Sequence, residues 1–231
     1  EIRPFVADMA GALELPADLP GPVLFALLGS TIGNFLDDDA ATLLRRVRER
    51  MAAADRFLLG FDLVKDVTIL EAAYDDAAGV TAAFNLNVLS VLNRELDADF
   101  DPADFRHRAW FDAVERRIEM HLVARRPVTV TVPGAGAFAF AAGESVRTEV
   151  SCKYDRARVE ALFAAAGLVI ERWAEAEPGF ALVLAAVVLF YAIRKLRRIR
   201  VPPDADFFTA VRAVPLSLVI GLDLLDLRLR A

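Results

Sequence analysis

Polar side chains of a particular kind gather at the turns of this sequence: Asp8, the run Gly29-Ser30-Thr31-Ile32-Gly33-Asn34, and Asp62. Ser, Thr, Asn and Asp at such places hold a polar organic ligand by hydrogen bonds rather than activate water. The sequence contains no Gly-x-Ser-x-Gly, no glycine-rich phosphate loop ending in Lys-Ser/Thr, no His-Glu-x-x-His and no Cys-x-x-Cys. Hydrolase, nucleotide-phosphate and metal chemistry therefore lose support. Cys152 is the single cysteine and His107 and His121 are the two histidines, too few for a zinc cluster or an intramolecular disulfide. Both histidines are read as structural and no metal is expected.

The elements that must position these groups follow from apolar periodicity. Pro22 to Leu28 is a continuous apolar run too short for a helix and reads as a strand buried on both faces. Asp37 to Asp39 are placed to cap a helix whose Leu43, Val47 and Met51 recur every four residues, and Arg56 to Asp62 returns as a second buried strand. Strand, helix, strand at this spacing predicts a parallel pair, with Ile2 to Val6 as an earlier strand. Ligands bind beyond the C-terminal ends of such strands, so Asp8, the Gly29 to Asn34 loop and Asp62 are expected on one rim. From Asp66 to about Leu96 the pattern is helical. It then changes to a period of two over Phe105–Phe111, Arg117–Val123, Val128–Val132 and Ala137–Phe140, predicting an antiparallel meander on the sheet. Asp155 caps a further helix through Ala166, Gly167 stops it, and Leu168–Ala174 with Phe180–Ala186 close the sheet as a hairpin.

At 231 residues and 56% hydrophobic composition the chain suits one domain with a short appendage. Its 27 Lys and Arg against 33 Asp and Glu give a net charge of −6, which repels a phosphate backbone, so nucleic acid is not an expected partner. The cytoplasm is the default compartment. The sequence opens with Glu1 inside a strand-like run and reads as cut at its N-terminus. Residues 187–231 hold 8 Lys and Arg against 4 Asp, unlike the acidic remainder. The apolar stretch Gly179 to Ile193, followed by basic Arg194 to Arg200, raises a membrane anchor, but a span needs roughly 17 to 25 residues and its first half is already a strand. Phe207 to Leu229 suits a surface amphipathic helix better.

Five motifs in order carry a resemblance: GSTIGNF at Gly29–Phe35, DLVKD at Asp62–Asp66, AAYDDAAGVTAAFNLN at Ala72–Asn87, RIEMHL at Arg117–Leu122 and TEVSCKY at Thr148–Tyr154. Together they resemble the histidine Nα-methyltransferase family of ergothioneine biosynthesis, from about Glu1 to about Ala186. The resemblance implies an α/β fold: a partial Rossmann-like methyltransferase sheet with an inserted antiparallel β substrate-binding region at about 80–154; the helical tail over 187–231 is read from its own pattern and has no family match. It implies trimethylation of the α-amino group of L-histidine to hercynine, with S-adenosyl-L-methionine as methyl donor. It places Asn34 and Tyr74 at the histidine carboxylate, Glu149 and Ser151 at the imidazole, and Met120 in the same pocket. Asp8 would accept from the adenine amino group and the backbone N–H of Met9 would meet the adenine ring. Met9 stands where an aromatic residue is expected, and Asp75 where an asparagine is. The family's glycine-rich donor loop precedes Glu1, so this chain is expected to bind the donor weakly or not at all.

Methyl transfer from a sulfonium is an in-line displacement in which the protein supplies distance, angle and a dry site, so no catalytic residue in the strict sense is expected. Without the joint pattern each residue has an ordinary role: Asn34 as a helix cap, Tyr74 and Met120 as packing, Glu149 as a solvated strand residue, Asp8 as a turn former. Two alternatives are a non-catalytic, membrane-associated or partner-dependent module that retains the pocket, and a methyltransferase for another small amine.

Overall fold

The computed structural model of the chain describes residues 21–176 and 179–188. The Ile2 to Val6 strand, Asp8, Met9 and the tail beyond residue 188 lie outside the described residues. The first strand, β1 (Leu24–Leu27), is followed by a helix, α1 (Asp37–Arg50), and by β2 (Arg56–Asp62), which runs parallel to β1 with Leu24 opposite Arg56 and Leu27 opposite Leu59. The parallel pair is as expected, but β1 is not buried on both faces: exposed residues alternate with half-buried ones, and Leu24 is 57% exposed. Among the described residues β1 has a strand on one side only, so it forms an edge of the sheet. Asp37, Asp38 and Asp39 occupy the first turn of α1 rather than its cap, which is Leu36. There they oppose the positive end of the helix dipole, and Asp37 accepts hydrogen bonds from Arg158 Nη2 at 2.7 Å and Nε at 3.1 Å.

The predicted single helical run splits in two, α2 (Val67–Ala72) and α3 (Val80–Leu96). The break follows from local chemistry: Asp76 accepts from Thr81 N at 2.8 Å and Val80 N at 3.1 Å, starting a new helix behind Gly79 at φ 73°. These amides hold the Asp76 carboxyl down at about 2. Next come β3 (Phe105–Asp112), β4 (Arg117–Ala124), β5 (Val128–Val132), β6 (Gly136–Phe140) and β7 (Ser145–Cys152). They do not continue the first sheet as a meander. β3, β4 and β7 form an antiparallel sheet of their own, and β5 pairs with β6 as a separate hairpin.

A last helix, α4 (Arg156–Ala165), is capped by Asp155, which accepts from Arg158 N at 2.7 Å, and is followed by Gly167 at φ 71°. The hairpin β8 (Leu168–Ala176) and β9 (Phe180–Val187) then completes a four-stranded sheet in the order β1-β2-β9-β8. The period of two in β2 turns Phe57, Leu59 and Phe61 to one face, where α1 residues Leu43, Leu44 and Val47 and α4 residues Val159, Leu162 and Phe163 close over them. Removing side chains of this size from water is worth roughly 2 kcal/mol each, which makes this cluster the anchor of the fold. No helix among the described residues is long and apolar enough to cross a membrane.

Candidate functional site

The site begins with an unusual turn. Gly29 and Ser30 adopt φ 75° and 59°, two consecutive left-handed residues just past the C-terminal end of β1. Ser30 pays for this conformation, which disfavours a side chain by roughly 1 kcal/mol, with two bonds: its Oγ accepts from Asp62 N at 2.8 Å and its carbonyl accepts from Gly33 N at 2.8 Å. The chain then makes one turn of 3₁₀ helix over Thr31–Asn34. That turn sits directly on the end of β7, because Gly33 has no side chain: a Cβ there would stand 2.9 Å from the Cys152 carbonyl oxygen. Tyr154, fully buried, donates its hydroxyl to the Ile32 carbonyl at 3.2 Å and clamps the turn from below. Burial raises the Tyr154 phenol above its ordinary range, so it stays a donor.

The same stretch joins the two sheets. Tyr154 N donates to Asp62 O at 3.0 Å and Val64 N to Tyr154 O at 2.9 Å, bringing the end of β2 against the residues after β7. Side chains two apart on a strand share a face, so Glu149 and Ser151 point the same way and Lys153 continues their line. Met120 pairs with Glu149, and Ile118 with Ser151, across to β4.

What results is a pocket of about 380 Å³ lined by Gly29, Ser30, Thr31, Asn34, Asp62, Tyr74, Ser151, Lys153 and Phe180. Its volume lies within the range of small-molecule sites. Tyr74 OH and Ser151 Oγ are hydrogen-bonded at 2.8 Å. Behind them lies Lys153, fully buried, whose Nζ donates to Ser151 Oγ at 2.8 Å, Tyr74 OH at 3.0 Å and Asp62 Oδ2 at 2.8 Å. Asp62 Oδ1 accepts in addition from Lys65 Nζ at 2.6 Å. Burial alone would raise the Asp62 carboxyl, but the hydrogen bonds and positive charge of Lys153 and Lys65 outweigh it and hold the carboxyl below its ordinary value. Two ammoniums against one carboxylate leave the back of the pocket net positive, which suits an anionic group on a ligand.

Of the residues predicted from sequence, Asn34, Tyr74 and Ser151 line this pocket together, and Gly29 to Asn34 share the rim with Asp62. Asn34 is exposed, and its side-chain amide has no hydrogen-bond partner among the described residues. Met120 is not among the lining residues. It is buried in a cluster with Leu70 and Ile118, and Tyr74 packs on that cluster. Glu149 is half-buried beside it, outside the pocket lining and with no hydrogen-bond or ion-pair partner among the described residues. Tyr74 and Ser151, expected at opposite ends of a ligand, instead touch each other. Asp8 and Met9 lie outside the described residues.

Lys153 and Phe180 line the pocket without having been singled out in the sequence. Lysine is almost never fully buried unless paired, so the signal for Lys153 was its place in the line Glu149, Ser151, Lys153. Phe180 reaches the pocket across Gly60, where a Cβ would meet its Cζ at 2.8 Å; nothing local in the sequence marks that approach. His107 acts behind the site. Asn85 Nδ2 donates to the His121 carbonyl at 3.2 Å, which fixes the amide, and also meets His107 Nδ1 at 2.9 Å. Nδ1 is therefore the acceptor, and Nε2–H donates to the Tyr74 carbonyl at 2.8 Å. The structural role expected of His107 is thus specific: it anchors the backbone that presents Tyr74.

Comparison with known proteins gives the following matches. The model of the family described as histidine-specific methyltransferase, SAM-dependent, matches residues 1–187. The histidine N-alpha-methyltransferase of Mycobacterium tuberculosis (strain CDC 1551 / Oshkosh) is 49% identical over 168 residues, covering 72% of this chain and 52% of that protein. The histidine N-alpha-methyltransferase of Mycolicibacterium smegmatis is 50% identical over 154 residues, covering 66% of this chain and 48% of that protein. Ergothioneine biosynthesis protein 1 of Schizosaccharomyces pombe is 31% identical over 127 residues, covering 54% and 16%. The chain spans about half the length of the two mycobacterial relatives. Among solved structures, an S-adenosylmethionine-dependent methyltransferase from Clostridium acetobutylicum aligns at 10% identity with a TM-score of 0.41, covering 78% of this chain and 63% of that chain.

Proposed function

The chain belongs to the SAM-dependent histidine-specific methyltransferases, and from that premise we propose that its pocket receives L-histidine and that the protein it represents trimethylates the α-amino group to hercynine. The observation that carries this reading is the convergence of Asn34, Tyr74 and Ser151, from three separate parts of the chain, in one pocket at the C-terminal rim of parallel strands β1 and β2. Asn34 offers an unpaired amide and Tyr74 a hydroxyl to the α-carboxylate, and the net positive pocket back favours that anion. Glu149, without a partner of its own among the described residues, is free to accept from an imidazole N–H. A site built to hydrogen-bond a particular group rejects ligands that lack it, since its own polar atoms would be left unpaired.

S-adenosyl-L-methionine supplies an electrophilic methyl group on a sulfonium. On the proposed donor side the rim is open at Gly29, where an added Cβ would meet nothing within 4 Å among the described residues. Asp8 and Met9 are proposed to hold the adenine. The chain's own part is to bind and orient. It fixes both ends of the amino acid, so that the neutral amine's lone pair faces the donor side, and it needs no strong base in the pocket because the amine proton can leave to solvent.

Methyl transfer to histidine by the protein carrying this sequence, followed by mass spectrometry of the product, tests the reading. Hercynine is the expected product, and Glu149→Ala is expected to lose the preference for histidine over other amino acids. Transfer to a different amine with histidine refused would favour the small-amine alternative.

A further inference from the structure

We propose that Lys153 is a positioning residue for the amino-acid site: its buried ammonium polarises the Tyr74–Ser151 hydroxyl pair so that Tyr74 donates its hydrogen bond to the ligand's carboxylate. The proposal rests on histidine as ligand. Its ground is a count of protons. An ammonium has three N–H donors and no acceptor, and Lys153 spends all three, on Asp62 Oδ2 at 2.8 Å, Ser151 Oγ at 2.8 Å and Tyr74 OH at 3.0 Å. Both hydroxyls must therefore accept from Lys153. They also bond to each other at 2.8 Å, Tyr74 OH donating to Ser151 Oγ in the ligand-free pair, which uses one of their two protons. One hydroxyl proton remains for a ligand.

Which hydroxyl keeps it follows from acidity. A phenol is far more acidic than an aliphatic alcohol, so against an anionic acceptor Tyr74 is the better donor, and charge-assisted bonds of this kind are the stronger ones. On binding, the pair reverses its ligand-free direction: Ser151 donates to Tyr74 and turns its remaining lone pair to a second N–H of the ligand, the imidazole N–H being left to Glu149. The pair thus reads the ligand in two opposite senses at one place: an acceptor at Tyr74 and a donor at Ser151. Without Lys153 the two hydroxyls are free to turn to each other or to water, and that polarity is lost. Asp62 Oδ2 accepts from the Lys153 ammonium at 2.8 Å, and Lys65 Nζ holds Asp62 through Oδ1 at 2.6 Å.

Calorimetric titration with histidine and with histamine, which keeps the imidazole and amine but lacks the carboxylate, separates this role from mere support. Lys153→Met is expected to weaken histidine binding by about 30-fold, the size of one lost charge-assisted hydrogen bond, and histamine binding by less than about 3-fold. Lys153→Arg is expected to restore part of the histidine preference, and Tyr74→Phe to lose it with Lys153 intact. Equal losses for both ligands in Lys153→Met and in Lys153→Arg would overturn the positioning role while leaving histidine as the ligand. Should Lys153→Met fail to fold, an unchanged histidine-to-histamine ratio in Lys153→Arg and Tyr74→Phe would overturn it equally. Wild-type protein that binds no histidine would overturn the functional reading itself, and the role of Lys153 with it.

Discussion

Asp62 and Glu119 are each a carboxylate among cations, and they face different surroundings. Asp62 is held by Lys65 and Lys153. Glu119 is held by Arg117 Nη2 at 2.6 Å, Arg147 Nη1 at 3.0 Å and His121 Nε2 at 3.1 Å, and these contacts outweigh its burial and hold its carboxyl at about 2. Glu119 alternates along β4 with Ile118 and Met120, so it lies on the face of that sheet turned away from Tyr74 and Ser151. Its cluster ends in a stack of His121 on Trp110 at 4.3 Å, with Arg108 4.8 Å from the Trp110 ring centre, and none of these residues lines the pocket described above. The Asp62 cluster instead runs on through Lys153 into two hydroxyls that face open volume. Charge clustering is therefore not what marks a site; a polar network with one donor left over beside a cavity is.

Substitutions at the two carboxylates sharpen this contrast. The largest effect is expected for Asp62→Asn, which leaves the fully buried Lys153 without its counter-charge: about 3 kcal/mol of stability lost by denaturant unfolding, together with weakened histidine binding. Gly33→Ala should cost about 2 kcal/mol, because the new Cβ must move off the Cys152 carbonyl, and should displace Asn34 enough to abolish detectable histidine binding by calorimetry. Glu119→Gln is expected to cost about 1 kcal/mol while leaving histidine affinity unchanged; a matching loss of affinity would break the distinction between the two faces. The mildest effect is that of acid. Both carboxyls sit below their ordinary values in the folded chain, so their stabilisation is complete above the unfolded carboxylate range and is lost as pH falls through the folded values. Stability followed by circular dichroism should thus decline gently near pH 4 and steeply toward pH 2, and Glu119→Gln should flatten that decline.

Much of the fold was legible because burial imposes its period on the sequence. Phe57, Leu59 and Phe61 announced β2, Asp155 and Gly167 bracketed α4, and the resemblance of five motifs singled out Asn34, Tyr74 and Ser151. The misreadings have physical causes. β1 is as apolar as a buried strand yet lies at an edge among the described residues, half of it exposed, since composition reports what a strand can pack against and not what is beside it. The strands from Phe105 onward show the right period, but a period of two does not say which strands pair, and they form separate sheets.

What the sequence alone determined is therefore local: most element types, the Asp155 cap and Gly167 stop of α4, and the residue types available to grip an amino acid. Tertiary structure alone decided that Tyr74 and Ser151 touch, that Met120 is buried in the cluster on which Tyr74 packs, and that Lys153 stands behind both hydroxyls with all its protons in use. The reason is range. Backbone preferences and apolar periods act over a few residues and are written in order along the chain, whereas a hydrogen bond between residues 77 apart depends on where two sheets meet, and that is settled by the packing of the whole.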